Sequence, residues 1–287
     1  PGHNLSGSRS ESSFTPMVNV QWNPLDNTML YASYSEGFKA GGFDARANNP
    51  FSFEFENEET DSFEIGSKSL LANGRLELNA TLFFTDYDDL QVSQFDGALG
   101  FNVGNANKTE VRGLELDGRY AATDNLTLGY AYSFLDFEFK DFRNGNCYNY
   151  QTPNGSVVNG IPLCNFTGMT GQYTPENNLS LFFDYRFMLN NDIELFANLN
   201  LNYTDSQNIH DNLDPQYLVD SYTKVNLRFG VQNDNWRVSI IGKNLGNEDV
   251  LTYAGNAPIS ANLFGTNTFY GFVDRPRQIA LELAYQL

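Results

Sequence analysis

The chain has only two cysteines and two histidines, the side chains that most often bind zinc or carry out redox chemistry. Cys147 and Cys164 share one Gly/Asn-rich stretch, "NGNCYNYQTPNGSVVNGIPLCNF", while His3 and His210 lie elsewhere. Structural zinc takes four ligands at close spacing, so this set makes a poor zinc site. A disulfide would close a loop of about 18 residues and add roughly 3 kcal/mol of stability. We predict the disulfide Cys147–Cys164, with two free thiols as the alternative, and hence an oxidising compartment.

The same inventory argues against catalysis. A serine nucleophile needs a neighbouring histidine, but His210 lies in a loop, "DSQNIHDNLD", and His3 in the irregular start. Adjacent acids such as Asp88 and Asp89 have the side chains that hydrolyse glycosides, but solvated acids at loop ends are the better explanation for them. The chain has no G-x-G-x-x-G after a strand, no G-x-x-x-x-G-K and no D-x-D-x-D-G calcium loop. We therefore predict no enzyme activity, no metal site and no cofactor.

The bulk composition excludes further classes of protein. The 287 residues carry a formal net charge of -18 with only 17 Lys and Arg, which argues against nucleic acid as a partner. Mean hydropathy is -0.42, and no apolar run reaches the roughly 18 residues that a transmembrane helix needs. Aromatic residues make up 15% of the chain, which favours strands over helices. No signal peptide is visible, and a chain that begins at Pro1 is expected to be processed or a fragment.

Apolar residues occupy every second position in many segments, most clearly in the last one, "IALELAYQL" (279–287). The same period occurs in "LELNATLFF" (76–84) and "IELFANLNLNY" (193–203). It predicts strands with one apolar and one polar face. We place about eleven strands at 14–22, 28–38, 59–70, 75–92, 104–121, 126–140, 173–188, 193–205, 218–232, 236–245 and 274–287.

The connections between these strands alternate between short and long. Turns rich in Asn, Asp and Gly join one set of strand ends, whereas long insertions, at about 39–58, 141–172, 206–217 and 246–273, join the other set. Outer-membrane barrels have this asymmetry, with short periplasmic turns and long extracellular loops. The pattern predicts an all-β, antiparallel transmembrane β-barrel with a periplasmic C-terminus. Single-chain bacterial barrels have even strand numbers, so an odd number indicates part of a larger barrel.

Five segments carry a more specific signal. They are "LYASYSEGFKAGGFDA" (30–45), "EETDSFEIGSKSLLANGRLELNATLFFTDYDDLQV" (58–92), "NVGNANKTEVRGLELDGRY" (102–120), "YTKVNLRFGVQNDNWRVSIIGKNLGNEDV" (222–250) and "RPRQIALELAYQL" (275–287). In this order they resemble the TonB-dependent outer-membrane receptors, specifically the C-terminal half of their barrel. The resemblance covers nearly the whole chain. Two positions depart from the family pattern, because Leu287 replaces the usual terminal Phe and "NLG" at 244–246 replaces Asn-Leu-Phe.

The resemblance implies a 22-stranded barrel, filled by a plug, that imports a ferric siderophore or another scarce nutrient with energy delivered by TonB. On this interpretation residues 1–287 are the C-terminal part of the barrel, and the plug domain and TonB box are absent from them. Implied partners are outer-membrane lipid, TonB through the missing N-terminal part, the barrel-assembly machinery through the C-terminal strand, and a small-molecule nutrient. The alternatives are a passive outer-membrane channel and a secreted carbohydrate-binding β-sandwich, whose strands are usually shorter than these.

The ligand is expected at the extracellular loops, where aromatic rings and convergent polar groups suit a siderophore. The candidate ligand-binding residues are Phe51, Phe53, Phe55, Tyr148, Tyr150, His210, Tyr253, Phe264 and Tyr270. The acidic loops are ill suited to an anionic ferric siderophore, which favours arginine. The sequence therefore leaves the substrate open.

Overall fold

A computed structural model describes residues 4–47, 52–95, 101–158, 160–257 and 268–286. Two single-turn 3-10 segments that lie wholly within the described ranges, Ala72–Gly74 and Pro215–Tyr217, interrupt the strands and loops. None of the helical segments in the described ranges is long and apolar enough to cross a membrane.

The described residues contain nineteen strands. They are β1 (Met17–Leu25), β2 (Thr28–Lys39), β3 (Gly42–Phe43), β4 (Glu54–Phe55), β5 (Glu58–Leu71), β6 (Leu76–Phe95), β7 (Phe101–Ala121), β8 (Leu126–Asp141), β9 (Val157–Val158), β10 (Ile161–Pro162), β11 (Asn177–Met188), β12 (Glu194–Thr204), β13 (Gln207–Asn208), β14 (Leu218–Val219), β15 (Tyr222–Gln232), β16 (Trp236–Lys243), β17 (Leu251–Asn256), β18 (Phe269–Val273) and β19 (Gln278–Tyr285).

Eleven of these strands form one sheet, in the order β1-β2-β5-β6-β7-β8-β11-β12-β15-β16-β19. Every neighbouring pair is antiparallel, and each main strand pairs with the next main strand along the chain. The eight short strands form four two-stranded sheets between the main strands. The predicted all-β architecture of eleven antiparallel strands is thereby confirmed, and a β-sandwich is excluded because the main strands share one sheet.

The strand boundaries differ from the predicted ones chiefly at the loop ends. β1 begins at residue 17 rather than 14, β11 at 177 rather than 173, and β19 at 278 rather than 274. Residues 218–219 do not begin β15 but pair with Gln207–Asn208 as a separate ladder. At the end of the sheet that carries the long loops, short strands therefore pair with each other instead of extending the main strands. The alternation of apolar and polar residues is less regular there.

The main sheet has one apolar face and one polar face. In the pairing of β12 with β15, Leu199 lies opposite Leu227, and Asn198 lies opposite Arg228. Successive side chains of a strand point to opposite faces, so Leu199 and Leu227 lie on one face while Asn198 and Arg228 lie on the other. The same division continues across the sheet. Large apolar side chains on one face are exposed, among them Phe63, Ile65, Leu82, Phe229, Ile240, Ile279, Leu281 and Leu283. An exposed apolar surface of this extent is typical of a membrane or protein interface.

Hydrogen bonds between strands connect the side chains of the polar face. Asn198 Nδ2 donates to Asp184 Oδ2 at 2.5 Å, and Ser180 Oγ donates to Asn202 Oδ1 at 2.9 Å. Arg228 of β15 reaches across β16 and donates to both carboxylate oxygens of Glu282 in β19, at 2.6 and 2.7 Å. These pairs satisfy polar groups within the wall and tie the terminal strand to its neighbours.

Short turns and long loops lie at opposite ends of the sheet. The turn between β5 and β6 uses Ala72, Asn73 and Gly74, all with positive φ, which Asn and Gly adopt readily. At the other end, loop residues and nearby strand residues form two small hydrophobic cores. One contains Ala106, Phe139, Phe142, Cys164, Phe166 and Leu213, and the other contains Ile209, Tyr217 and Ala254. The loops are therefore packed structures rather than open connections.

Candidate ligand-binding site

The loop after β12 is shaped by its own polar side chains. Asn208 Oδ1 accepts from His210 N at 2.9 Å, and Asn208 Nδ2 donates to Asp214 O at 2.8 Å. Asp214 caps the 3-10 turn by accepting from Gln216 N at 2.9 Å. Asn208, His210, Asn212 and Asp214 are all buried, so backbone and amide groups fix the loop from inside. This turn chemistry follows from the Asn- and Asp-rich sequence "NIHDNLDP".

His210 projects into an aromatic environment. Its ring stacks on Tyr217, with centroids 4.9 Å apart and planes inclined by 25°. Nδ1 lies 2.6 Å from Asp211 Oδ1 and 3.3 Å from Asn212 N. In the longer contact the Asn212 backbone N–H donates to Nδ1. Nε2 lies toward Gly255, where an added Cβ would be 3.4 Å away.

The hairpin of β17 and β18 supplies the remaining rings. Tyr253 lies 6.4 Å from His210, 5.9 Å from Tyr270 and 6.2 Å from Phe272, measured between ring centroids. Burial raises the pKa of Tyr253 well above its usual range, and the hydrogen bond from Tyr270 acts in the same direction. The Tyr253 phenol is therefore neutral at physiological pH and offers an O–H group. We call His210, Tyr217, Tyr253, Tyr270 and Phe272 the aromatic cluster.

A groove lies between the loop after β8 and the loop after β12. Its volume is about 480 Å³, and we call it the loop groove. It is lined by Leu135, Asp136, Phe137, Met169, Thr170, Thr174, Glu176, Asp205, Ser206, Gln207, Asn208, Leu213, Pro215 and Leu218. Asn208 links the loop groove to the aromatic cluster, because it lines the groove and its side-chain oxygen accepts a hydrogen bond from His210 N. The backbone carbonyl of Asn208 also accepts from Tyr173 N, at 2.9 Å.

The charged groups of the loop groove are acidic. Hydrogen bonds from Asn177 and from the Ser206 backbone lower the pKa of Asp205, so its carboxylate is ionised at neutral pH. Asp136 is already paired with Arg112 at 2.7 Å. Neither Lys nor Arg occurs among the residues that line the groove. The groove thus combines apolar side chains with uncompensated negative charge.

The structure brings together three of the predicted ligand-binding residues and separates the others. His210, Tyr253 and Tyr270 meet in the aromatic cluster. Phe53 stacks on Phe43 at 5.0 Å, in the distant loop after β2 that also contains Phe55. Tyr148 and Tyr150 lie in the disulfide loop. Phe51 and Phe264 lie outside the described residues.

Sequence reasoning missed two members of the cluster. Tyr217 follows the Asp-Pro pair of the 3-10 turn, is almost fully buried, and donates from its hydroxyl to Asn256 Oδ1 at 2.6 Å. Phe272 belongs to the hairpin hidden within the long predicted connection. The aromatic-rich segment "FYGFV", which is that hairpin's second strand, could have indicated it.

The predicted disulfide is confirmed. Cys147 and Cys164 are bonded, with their Cα atoms 5.1 Å apart, so the alternative of two free thiols is excluded. Cys164 is buried in the first loop core, and Gly145 pairs with it as an isolated β-bridge. Within the described residues no group of three or more His, Cys, Asp or Glu is arranged to hold a metal.

Comparison with protein families identifies the family to which this eleven-stranded sheet belongs. Residues 2–245 match the family model described as "TonB dependent receptor-like, beta-barrel". The chain belongs to this family, whose members are outer-membrane proteins of Gram-negative bacteria. The exposed apolar face of the sheet is accordingly its lipid-facing surface, and the long loops lie on the extracellular side.

Individual relatives agree with this assignment. A probable TonB-dependent siderophore receptor, PiuA of Acinetobacter baumannii, is 29% identical over 158 residues, which are 52% of this chain and 21% of that protein. The crystal structure of PiuA matches with a TM-score of 0.67 and 19% identity, over 94% of this chain and 35% of that one. The ferric yersiniabactin uptake receptor FyuA of Yersinia pestis matches with a TM-score of 0.67 and 16% identity, over 92% and 36%. The chain spans about a third of these receptors.

Proposed function

We propose that this chain is the C-terminal part of a receptor that imports a ferric siderophore or a similar scarce nutrient across the outer membrane. The observation that carries the proposal is the aromatic cluster, which assembles imidazole, phenol and phenyl rings from two separate loops at the extracellular end of a membrane wall. Such a cluster offers flat apolar surface and a few O–H and N–H groups, as sites for small organic ligands do. The relatives named above are receptors for ferric complexes, which supports transport rather than catalysis.

The directions of the two edge strands indicate which strands the rest of the barrel would have to supply. β1 runs toward the short turns, since it leads directly into the turn before β2, and β19 runs the same way. For both edges to be paired antiparallel, the missing wall must begin and end with strands that run the opposite way. That requires an odd number of strands, and eleven more would complete a 22-stranded barrel. Unpaired strand edges are not stable in hydrocarbon, so the two parts would form one barrel.

The remaining partners belong to the same proposal. The plug and the TonB-binding segment would come from outside residues 1–287, and β19 would present its apolar alternation to the barrel-assembly machinery. Energy would therefore reach the site through the plug and not through this chain.

An uptake experiment tests the proposal. The full-length receptor is expressed in a Gram-negative strain that lacks its own ferric receptors, and accumulation of radioactive iron is followed with a panel of ferric siderophores. We expect uptake that stops when the proton gradient is collapsed. Accumulation that continues without the gradient would instead identify a passive channel, and no accumulation with any ferric complex would reject the iron function.

Two variants link uptake to the aromatic cluster. Tyr253→Ala removes the central ring and is expected to weaken binding about three- to tenfold, because an aromatic contact contributes roughly 0.5–1.5 kcal/mol beyond its area. Tyr185→Ala is the control, since Tyr185 lies on the lipid-facing side of β11 opposite Ala197. Equal binding by the two variants would place the ligand away from the cluster.

A further inference from the structure

We propose that the loop groove binds the part of the ligand that carries charge, and that it selects a cationic or neutral ferric complex over an anionic one. The inference rests on the proposed function, because it names the charge class of the complex that the same extracellular site would take. Three features of the groove carry it: its size, its unpaired carboxylate and the lack of an unpaired Lys or Arg in the two loops that bound it.

The groove is large enough to hold a substantial part of a small organic ligand. Its volume of about 480 Å³ falls within the range of roughly 300–1,000 Å³ that is typical of ligand sites. Apolar side chains, including Phe137, Leu213 and Leu218, line it next to hydroxyl and amide groups. This mixture suits an amphipathic ligand, whose carbon chain would pack on the apolar side chains while its polar groups remain hydrogen-bonded.

The groove presents negative charge that the protein itself does not neutralise. Within the described part of the chain, the exposed Glu176 side chain makes no hydrogen bond or ion pair. Asp205 keeps its carboxylate ionised through hydrogen bonds from Asn177 and Ser206. Those donors are neutral, so the negative charge of Asp205 remains. A positively charged ligand group would find these two carboxylates among the residues that line the groove.

The two loops that bound the groove contain a single Lys or Arg, Arg143, and that residue is already paired. Between Arg143 and Lys224 the only Lys or Arg is Arg186, which lies near the opposite, short-turn end of β11. Lys224 itself is paired with Asp274, and Arg143 with Asp141 at 3.0 Å. An anionic complex would therefore meet repulsion that no unpaired Lys or Arg in the described parts of these two loops offsets, and the partly apolar walls strengthen that repulsion.

A charge series on one ligand core tests the inference. The probes are three ferric trihydroxamates that differ only at a terminal arm, which is a free ammonium, its N-acetyl derivative or its N-succinyl derivative. Binding to the purified full-length receptor is measured by the quenching of protein fluorescence. We expect the ammonium form to bind at least about tenfold more tightly than the succinyl form at low salt, and the difference to shrink at about 1 M salt.

A matched pair of variants assigns the effect to the groove. Glu176→Gln removes the unpaired carboxylate with little change of shape and is expected to reduce the preference for the ammonium form by about threefold or more. Asp220→Asn removes an exposed acid in the neighbouring loop that does not line the groove, and should leave the preference unchanged. A heat-dependent shift on a detergent gel confirms that each variant is folded.

The outcomes separate this inference from the proposed function. Tighter binding of the succinyl form, failure of all three probes to bind, or an equal effect of the two variants would overturn the charge preference. If the receptor at the same time accumulates iron from an anionic ferric complex in cells, the proposed function stands and only the charge preference fails. Absence of uptake with every ferric complex would reject both.

Discussion

The sheet and the loops of this chain sort the same residue types in opposite ways. On the sheet, large apolar side chains such as Ile240 and Leu281 are exposed, while the polar side chains of Thr109 and Ser239 are buried. In the loops, Phe166 and Ile209 are buried in small cores. The difference shows that the sheet faces lipid on one side, whereas the loops fold in water and need an interior of their own.

The largest expected effect contrasts an apolar residue of the sheet with one of the loops. Leu227→Arg places a charge at the middle of the lipid-facing side of β15 and is expected to cost about 2–4 kcal/mol. Val157→Arg, at an exposed position of the disulfide loop, should change stability by less than about 0.5 kcal/mol. Unfolding by urea in lipid vesicles measures both. Equal losses would mean that the sheet face does not contact lipid.

The disulfide should stabilise the loops and not the sheet. Cys164→Ala opens a loop with a sequence separation of 17 residues and is expected to lower the stability of the first loop core by about 3 kcal/mol. Limited proteolysis should then cleave between residues 142 and 172, while the sheet stays intact and the detergent-gel heat shift is retained. Loss of the heat shift in this variant would show that the two regions fold as one unit.

A buried carboxylate ties the loop after β2 to the tip of β7 and makes that contact acid-sensitive. Asp44 accepts from Arg46 at 2.8 Å and from Val103 N at 2.9 Å. The Arg46 side chain is the main cause that lowers the pKa of Asp44 from 3.8 to about 2. Since the folded pKa is the lower one, the contact is stabilising above pH 3.8 and is lost as the pH falls through about 2.

That shift corresponds to about 2 kcal/mol of local stability. Hydrogen exchange at the Val103 amide, corrected for its intrinsic pH dependence, should show protection that decreases between pH 4 and pH 2. Asp44→Asn is expected to lower the protection at neutral pH and to remove most of this pH dependence. A wild-type amide that remains equally protected at pH 2 would contradict the assignment.

The smallest expected effect concerns the polar face of the sheet. Arg228→Met removes the two-pronged contact with Glu282 and the packing over Phe196, at 5.7 Å from the ring centroid. We expect a loss of about 1–2 kcal/mol. Arg186→Met, which breaks a more exposed pair with Asp184, should cost about 0–1 kcal/mol. Equal costs in urea unfolding would mean that the polar face is held together by its backbone alone.

Much of the sheet could be predicted from the residues, because a period of two in apolar side chains specifies both strands and faces. The segment 193–203 shows this well, since every residue predicted to be apolar-facing lies on the lipid side. The prediction was weaker at strand ends. Residues 218–219 continue the pattern of β15 but pair with Gln207–Asn208, because a local ladder satisfies their backbone groups.

The candidate site was only partly predictable. His210 and Tyr253 could be chosen as aromatic or polar residues of long loops, but nothing in their spacing shows that they meet. Tyr217 was missed because a tyrosine after a turn has no periodic signal, although its burial against His210 and its bond to Asn256 make it central. Contacts between residues some 40 positions apart depend on how the loops pack.

The sequence by itself determined the class of protein, the eleven-strand meander, the face that meets lipid and the pairing of Cys147 with Cys164. These features follow from local periodicity, from turn residues and from the small number of cysteines. Tertiary structure alone decided which loop side chains converge into the aromatic cluster and that the loop groove retains an unpaired carboxylate at Glu176. Loops have no repeating period, so the positions of their side chains are set by the burial of a few rings and by hydrogen bonds between distant segments.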